Sequence, residues 1–338
     1  MKKLFFIAVV FAAVSAIFPS CARQPVESVR EIHEKILAAH VRVIHQDTLQ
    51  KTESGAYYAV IRRGSGKSTT DSSMVFVRET VRDLNYNITA STNREVAKQM
   101  GTFNYDDAYI PLLWFMGKNS ILSGLEEMLL GMKEGEIRRI WLPYWLSSYY
   151  EGGTSENSSS MVYDLELVKV VNDIDRYQID TLEAFRNRHY PGIDSLERGF
   201  YKVTLVPGTG DSLQNATVVS TYYIGKFLNG HIFDTNIADT AMKYRIYKAG
   251  KDYSPLKVSM PVSDEVNGDT DEEGSTVKGF TKCMQEMRYG EIAVCFFHSD
   301  YGYMAEGKRS SSSSSTYLGG GIPSYMPLFF WIYAPLKN

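Results

Sequence analysis

An alternating strand closed by a G-x-G turn occurs twice in this chain. Ala56-Tyr57-Tyr58-Ala59-Val60-Ile61, leading to Gly64-Ser65-Gly66, is answered by Phe200-Tyr201-Lys202-Val203-Thr204-Leu205, leading to Gly208-Thr209-Gly210. A second echo follows each: Met132-Lys133-Glu134-Gly135-Glu136-Ile137 returns as Met287-Arg288-Tyr289-Gly290-Glu291-Ile292. Period-two alternation marks strands, and Gly pairs mark the turns that end them. The echoes lie too far apart for a solenoid, so one fold is built twice. Gly55 to Pro111 lies on Gly199 to Pro255 without a gap at an offset of 144. After that the second copy is 11 residues longer, in the acidic Asp264 to Ser275 stretch, which reads as a polar loop.

With 338 residues there is room for two cores. The division reads as an export signal over 1–20, an N-terminal segment and helix over 21–50, a first domain over 51–172, a linker over 173–198 and a second domain over 199–338. A net charge of −3 gives no electrostatic case for nucleic acid. Lys2-Lys3 followed by apolar Leu4 to Phe18 has the charged and apolar regions of an export signal and is too short to span a membrane. Cys21 follows a small residue, Ser20, as in bacterial lipoprotein signals, so acylation of Cys21 is the expected outcome and cleavage after Ala16 the alternative. An acyl chain would tether the protein to a membrane. The expected location is the bacterial cell envelope, facing the periplasm from the outer membrane. Ile32, Ile36, Val43 and Ile44 predict an exposed amphipathic helix, a stalk or a homodimer contact. Thr181 to Arg188 predicts a short linker helix. Cys283 and Cys295 are either a disulfide or two buried thiols.

In the second copy the signature runs Val218-Val219, Tyr223-Ile224-Gly225, Asn229-Gly230, Phe233-Asp234, Val277-Lys278-Gly279-Phe280, Met287, Gly290-Glu291, Asp300-Tyr301-Gly302-Tyr303, Ile322-Pro323, Leu328 and Phe330. In that order the motifs resemble the FKBP-type peptidyl-prolyl isomerase domain, and the pair resembles the tandem FKBP lipoproteins of bacteria. The resemblance implies an α+β fold of two domains, each an antiparallel sheet curled around one helix. It implies an apolar bowl built from Tyr223, Phe233, Asp234, Tyr303 and Phe330 as the catalytic set, with Val277, Phe280 and Ile322 binding substrate. Phe280 takes the floor where the family usually has tryptophan. Within the resemblance, the Tyr303 hydroxyl or the Ile322 N–H would bind substrate carbonyls. The arginine that the family often pairs with the Asp has no counterpart among Ile237 to Tyr244, which leaves Asp234 to Tyr223 alone. Neither cofactor nor metal is implied, and the partners are proline-containing segments of unfolded or exported polypeptides.

The first copy replaces this set. The gapless alignment puts Glu79 at Tyr223, Thr89 at Phe233 and Ala90 at Asp234. Beyond the insertion it puts Leu125 at Phe280, Ser148 at Tyr303 and Tyr163 near Phe330, so a folded but catalytically silent first domain is expected. A competing expectation is a non-catalytic chaperone or envelope-complex protein. Gly64-Ser65-Gly66-Lys67-Ser68 lacks the leading glycine of a phosphate loop, and His33 and His40 lack a third ligand. Asp271-Glu272-Glu273 reads as a solvated loop. The adjacent pairs Asp106-Asp107 and Glu126-Glu127 point apart on any regular element.

Overall fold

The computed structural model describes residues 27–45, 49–149, 158–260, 276–308 and 321–337. The export signal, Cys21, the Asp264 to Ser275 insertion with its Asp271-Glu272-Glu273 run, and the Ser310 to Ser315 run lie outside the described residues.

The first unit contains strands β1 (Gln50–Lys51), β2 (Tyr57–Arg62), β3 (Met74–Arg82), β4 (Ile88–Ser91), β5 (Leu112–Phe115), β6 (Ile137–Leu142) and β7 (Met161–Val171). Two short helices join them, α2 (Arg94–Gln99) and α3 (Ser123–Leu129), and helix α1 (Val29–His45) precedes them. Helix α4 (Ile174–His189) leads to the second unit, with β8 (Phe200–Val206), β9 (Val218–Phe227), β10 (Ile232–Thr235), α5 (Ala238–Lys243), β11 (Leu256–Ser259), α6 (Lys278–Gln285), β12 (Ile292–Phe297) and β13 (Leu328–Tyr333). The chain is α+β, and both sheets are antiparallel. The first runs β1-β2-β6-β7-β3-β4 with β5 on β3, and the second runs β10-β9-β13-β12-β8 with β11 on β9. β4 and β10, α2 and α5, and β5 and β11 recur at the 144-residue offset. β6 and β12 recur 155 residues apart, as the 11-residue insertion in the sequence requires.

Each sheet curls its apolar face around one helix. In α6, Phe280, Cys283, Met284 and the following Met287 recur at helical spacing and join Val219, Phe297, Phe330 and Ile332 in one buried cluster. In the first unit, Leu125, Met128 and Leu129 of α3 cluster with Val75, Val77, Leu165 and Leu167. Full burial of such a side chain stabilises by about 1.5–3 kcal/mol.

The paired motifs have direct structural reasons. In each Gly-Glu turn the glutamate reaches back and accepts the backbone N–H three residues earlier. Glu136 takes it from Lys133 at 3.2 Å and Glu291 from Arg288 at 2.9 Å. Both carboxylates are buried and matched by a cation, Arg138 at 2.6 Å and Lys202 at 2.8 Å. The G-x-G turns lie against the same hairpins. A Cβ on Gly64 would stand 2.4 Å from the Lys133 carbonyl oxygen, and one on Gly208 would stand 2.8 Å from that of Tyr289. The N–H groups of Ser65 and Gly66 both donate to the Glu134 carbonyl, so these two donors are already taken.

Two expected helices differ from their sequence reading. α1 is not a free stalk: Leu37 and Val41 are buried with Trp141 and Val162 on the outer face of the first sheet. The residues chosen from the sequence, Ile32, Ile36, Val43 and Ile44, stay exposed, the first three on the opposite side and Ile44 beside Leu37. The linker helix is twice the expected length, because Asp173 caps it by accepting from Arg176 N–H at 2.9 Å and Arg186, Arg188 and His189 complement its C-terminal end. Its Leu182 and Phe185 pack on the convex face of the second sheet, against Tyr201, Phe296 and Phe329. Cys283 and Cys295 are free and buried, and burial pushes the Cys295 thiol up.

Candidate active site: an aromatic hollow in the second unit

β9 and β10 place the hollow's first wall. Their register runs Ile232↔Lys226 and then Asp234↔Gly225, so Phe233 is the extra residue of a β-bulge. A bulge interrupts strict alternation, which lets the Phe233 ring and the Asp234 carboxylate both serve the same side of the strand. Gly225 makes room for this: a Cβ there would lie 2.6 Å from the Phe233 ring and 3.0 Å from that of Phe330.

The rings then meet edge to face. Phe280 stands 5.2 Å from Phe330 at 83° and 5.7 Å from Tyr223 at 84°, and Phe233 stands 5.7 Å from Phe330 at 87°. This quadrupole-favoured arrangement contributes about 0.5–1.5 kcal/mol per pair beyond burial. Val277, Phe280, Ile322 and Phe330 are buried members of one cluster, and Tyr223, Phe233 and Tyr303 pack against it only partly buried. All eight residues expected from the sequence are therefore together, with Asp234 joined through Tyr223. Phe280, at the floor position, is 2% exposed and packed as a core residue of the cluster.

The polar edge departs from expectation in two ways. Tyr223 donates its hydroxyl to Asp234 Oδ2 at 2.7 Å, and the Thr235 N–H donates to Oδ1 at 2.9 Å. Lys251 also pairs with Asp234 Oδ1, so the carboxylate does not rely on Tyr223 alone. Lys251 lies 17 residues further on, in a segment anchored by buried Asn236, which accepts from Tyr223 N–H and donates to the carbonyls of Thr221 and Ser254. No local spacing could have pointed to it. Second, the Ile322 N–H is not free for substrate. It donates to the Lys308 carbonyl at 2.7 Å, and Lys308 N–H returns the bond.

Tyr303 remains as the hydroxyl donor, with no hydrogen-bond partner among the described residues. Burial, with the Asp234 carboxylate nearby, pushes its ionisation up to about 12, and burial pushes Tyr223 higher still. Both hydroxyls keep their protons at neutral pH. Among the described residues the site is thus apolar walls, one paired carboxylate and one available O–H donor, with no nucleophile poised beside a base.

The first unit keeps the frame and changes the contents. Thr89 is its bulge residue, between Val81↔Ala90 and Arg82↔Ile88, but it is exposed and donates to the Val81 carbonyl. Leu125, Ser148 and Tyr163 are buried. Glu79 lies on the core face of β3 between Val77 and Val81, opposite Leu165, where burial pushes its carboxyl up to about 7.

Outside the hollow, Asp175, His298 and Asp300 bring three potential metal-ligand atoms within 4.8 Å of one another. Arg198 already holds Asp175, and His298 Nδ1 accepts the Asp300 N–H, so the trio is a polar joint between α4 and the second unit. No helix among the described residues is long and apolar enough to cross a membrane.

Each unit is thus an antiparallel sheet wrapped on one helix, and the second holds the aromatic cluster. Residues 85–168, from the β3–β4 turn into β7, match the FKBP-type peptidyl-prolyl cis-trans isomerase family. The chain is 28% identical over 124 residues to peptidyl-prolyl cis-trans isomerase FKBP9 of Rattus norvegicus, covering 36% of this chain and 18% of the relative. It is 27% identical over 128 residues to peptidyl-prolyl cis-trans isomerase Mip of Chlamydia muridarum (strain MoPn / Nigg), covering 38% and 42%. The chain thus spans less than half the length of either relative. The crystal structure of the three FKBP domains of wheat FKBP73 aligns over 86% of this chain and 98% of that one, at 16% identity and a TM-score of 0.28. The family match falls on the first unit, where Glu79, Thr89, Leu125 and Ser148 stand at the positions aligned with Tyr223, Phe233, Phe280 and Tyr303.

Proposed function

We propose that this chain is a peptidyl-prolyl cis–trans isomerase that works through the hollow of its second unit on proline-containing segments of unfolded or newly exported polypeptides. The carrying observation is the edge-to-face convergence of Tyr223, Phe233, Phe280 and Phe330 around the Tyr223–Asp234 hydrogen bond. An X–Pro bond turns over a barrier of about 18–20 kcal/mol because twisting breaks amide resonance. A catalyst needs only to favour the twisted amide over the planar one. The twisted amide has lost resonance and charge separation, so it leaves water for an apolar hollow more readily. Phe233, Phe280 and Phe330 hold the pyrrolidine ring, the Tyr303 hydroxyl donates to a substrate carbonyl, and Asp234 polarises the edge.

The same reading makes the first unit a scaffold, and acylated Cys21 an anchor in the bacterial envelope. The exposed apolar residues of α1, Ile32, Ile36, Val43 and Ile44, are then a surface for a second copy or the membrane boundary. Mass spectrometry of the native N-terminus tests the anchor: an unmodified chain starting at Ile17 removes it.

NMR exchange spectroscopy on an X–Pro peptide, with the full chain and its Phe233→Ala and Asp234→Ala variants, tests the enzyme. The full chain should accelerate exchange, and Phe233→Ala should lose about tenfold or more, a transition-state change of about 1.4 kcal/mol. A wild-type rate equal to buffer overturns the proposal.

A further inference from the structure

Residues 103–115 of the first unit reach across to the second unit and touch it in sequence order. Tyr105 accepts a hydrogen bond from Arg245 Nη1 at 2.7 Å, and its ring lies 5.2 Å from the same guanidinium. Asp106 pairs with Lys248 at 3.2 Å. Ala108 packs against the apolar cluster that contains Phe280 and Phe330. Phe115 ends the run with its ring 5.9 Å from that of Tyr325.

The two outer contacts fall on segments that flank the hollow. Arg245 and Lys248 lead to Lys251, the partner of Asp234, while Tyr325 lies between Ile322 and β13. The run therefore passes from one side of the hollow's rim to the other, and it contains an X–Pro step of its own, Ile110–Pro111.

The backbone is constrained at these contacts. Tyr109 (φ 48°), Arg245 (φ 60°) and Tyr325 (φ 55°) are three of the six non-glycine residues in the left-handed region among the described residues. Tyrosine and arginine disfavour that region and hold it only where surrounding contacts impose it. Yet the contact is not tightly filled. A cavity of about 360 Å³ remains within it, lined by Phe103, Tyr105, Tyr109, His231 and Tyr244, and Asp234 keeps a side-chain exposure of 42%. A contact that encloses a cavity and is held at its edge by polar pairs such as Arg245–Tyr105 and Lys248–Asp106 can be displaced.

We propose that residues 103–115 form a built-in strap along the rim of the second unit's hollow, a self-contact that competes with an incoming proline-containing polypeptide. This rests on the second unit's hollow being the polypeptide site. A competing self-contact lowers apparent affinity by the fraction of molecules in which it is seated, without altering the chemistry of those in which it is open.

The test uses the full chain and its Tyr105→Ala/Asp106→Ala variant, whose changes lie outside the hollow. The probe is a blocked Leu-Pro-containing tetrapeptide, read by titration calorimetry, by NMR exchange, and by hydrogen exchange of residues 103–111. The variant should bind the peptide about threefold or more tightly and show a lower KM with unchanged kcat. Saturating peptide should speed hydrogen exchange of residues 103–111 in the wild type. Equal peptide affinity in the two chains, absence of binding in both included, overturns the strap. Weaker binding by the variant overturns it too, whereas tighter binding by the variant without isomerisation in either chain overturns the catalytic reading alone and leaves the strap standing.

Discussion

Replacing Glu79 by glutamine should stabilise the first unit at neutral pH and leave it unchanged in acid. Glu79 occupies a core-face position between Val77 and Val81, opposite Leu165 and near Tyr163, and burial raises its carboxyl from the ordinary 4.5 to about 7. That offset corresponds to about 3 kcal/mol. Below pH 4.5 the carboxyl is protonated in both folded and unfolded chains, and it costs no ionisation energy. As pH rises towards 7 the unfolded chain releases the proton while the folded chain still holds it, and stability falls. Above pH 7 both are ionised and the loss is complete. Glutamine never ionises, so the variant should match wild type at pH 4 within about 1 kcal/mol and exceed it by about 2–3 kcal/mol at pH 8. Urea unfolding followed by tryptophan fluorescence suits this test, because Trp114, Trp141 and Trp145 report on the first unit and only Trp331 on the second. Stability curves that run parallel from pH 4 to pH 8, or a Glu79 side-chain carbon that titrates near 4.5 by NMR, would refute the reasoning.

Gly225→Ala should crowd the Phe233 and Phe330 rings, costing about 1–3 kcal/mol in chemical denaturation and most of the isomerase rate, and an unperturbed rate would show that the rings need not stand where they do. Lys251→Ala should change stability by less than about 1 kcal/mol, since the Asp234 carboxylate is well exposed and the pair is screened. It should lower kcat/KM about threefold to tenfold by freeing the Asp234 carboxylate, and equal kcat/KM would remove Lys251 from the site.

Features repeated along the chain were the ones sequence could reveal. Strand alternation, the G-x-G turns and the Gly-Glu hairpins are local patterns with local causes, so their 144-residue spacing passed directly into β4 and β10, α2 and α5, and β5 and β11. The eight hollow residues were recoverable because a family resemblance supplied their order. What escaped depends on partners distant in sequence. Lys251 reaches Asp234 only because Asn236 pins the intervening segment. The Ile322 N–H is taken by the Lys308 carbonyl, 14 residues earlier in the chain, a pairing no periodicity announces. On α1 the apolar residues on both sides satisfied helical spacing equally, and only the complementary surface of Trp141 and Val162 decided that Leu37 and Val41 would be covered.

The bulge at Phe233 and its counterpart at Thr89 carry a consequence for how such a chain can change. An insertion that redirects side chains is hard to acquire piecemeal, because a slipped pairing turns a whole strand inside out. Both copies already possess it. Gaining or losing a ligand-facing ring in either half therefore requires only a change of residue on an unaltered backbone, and the two halves can diverge in chemistry while remaining interchangeable in shape.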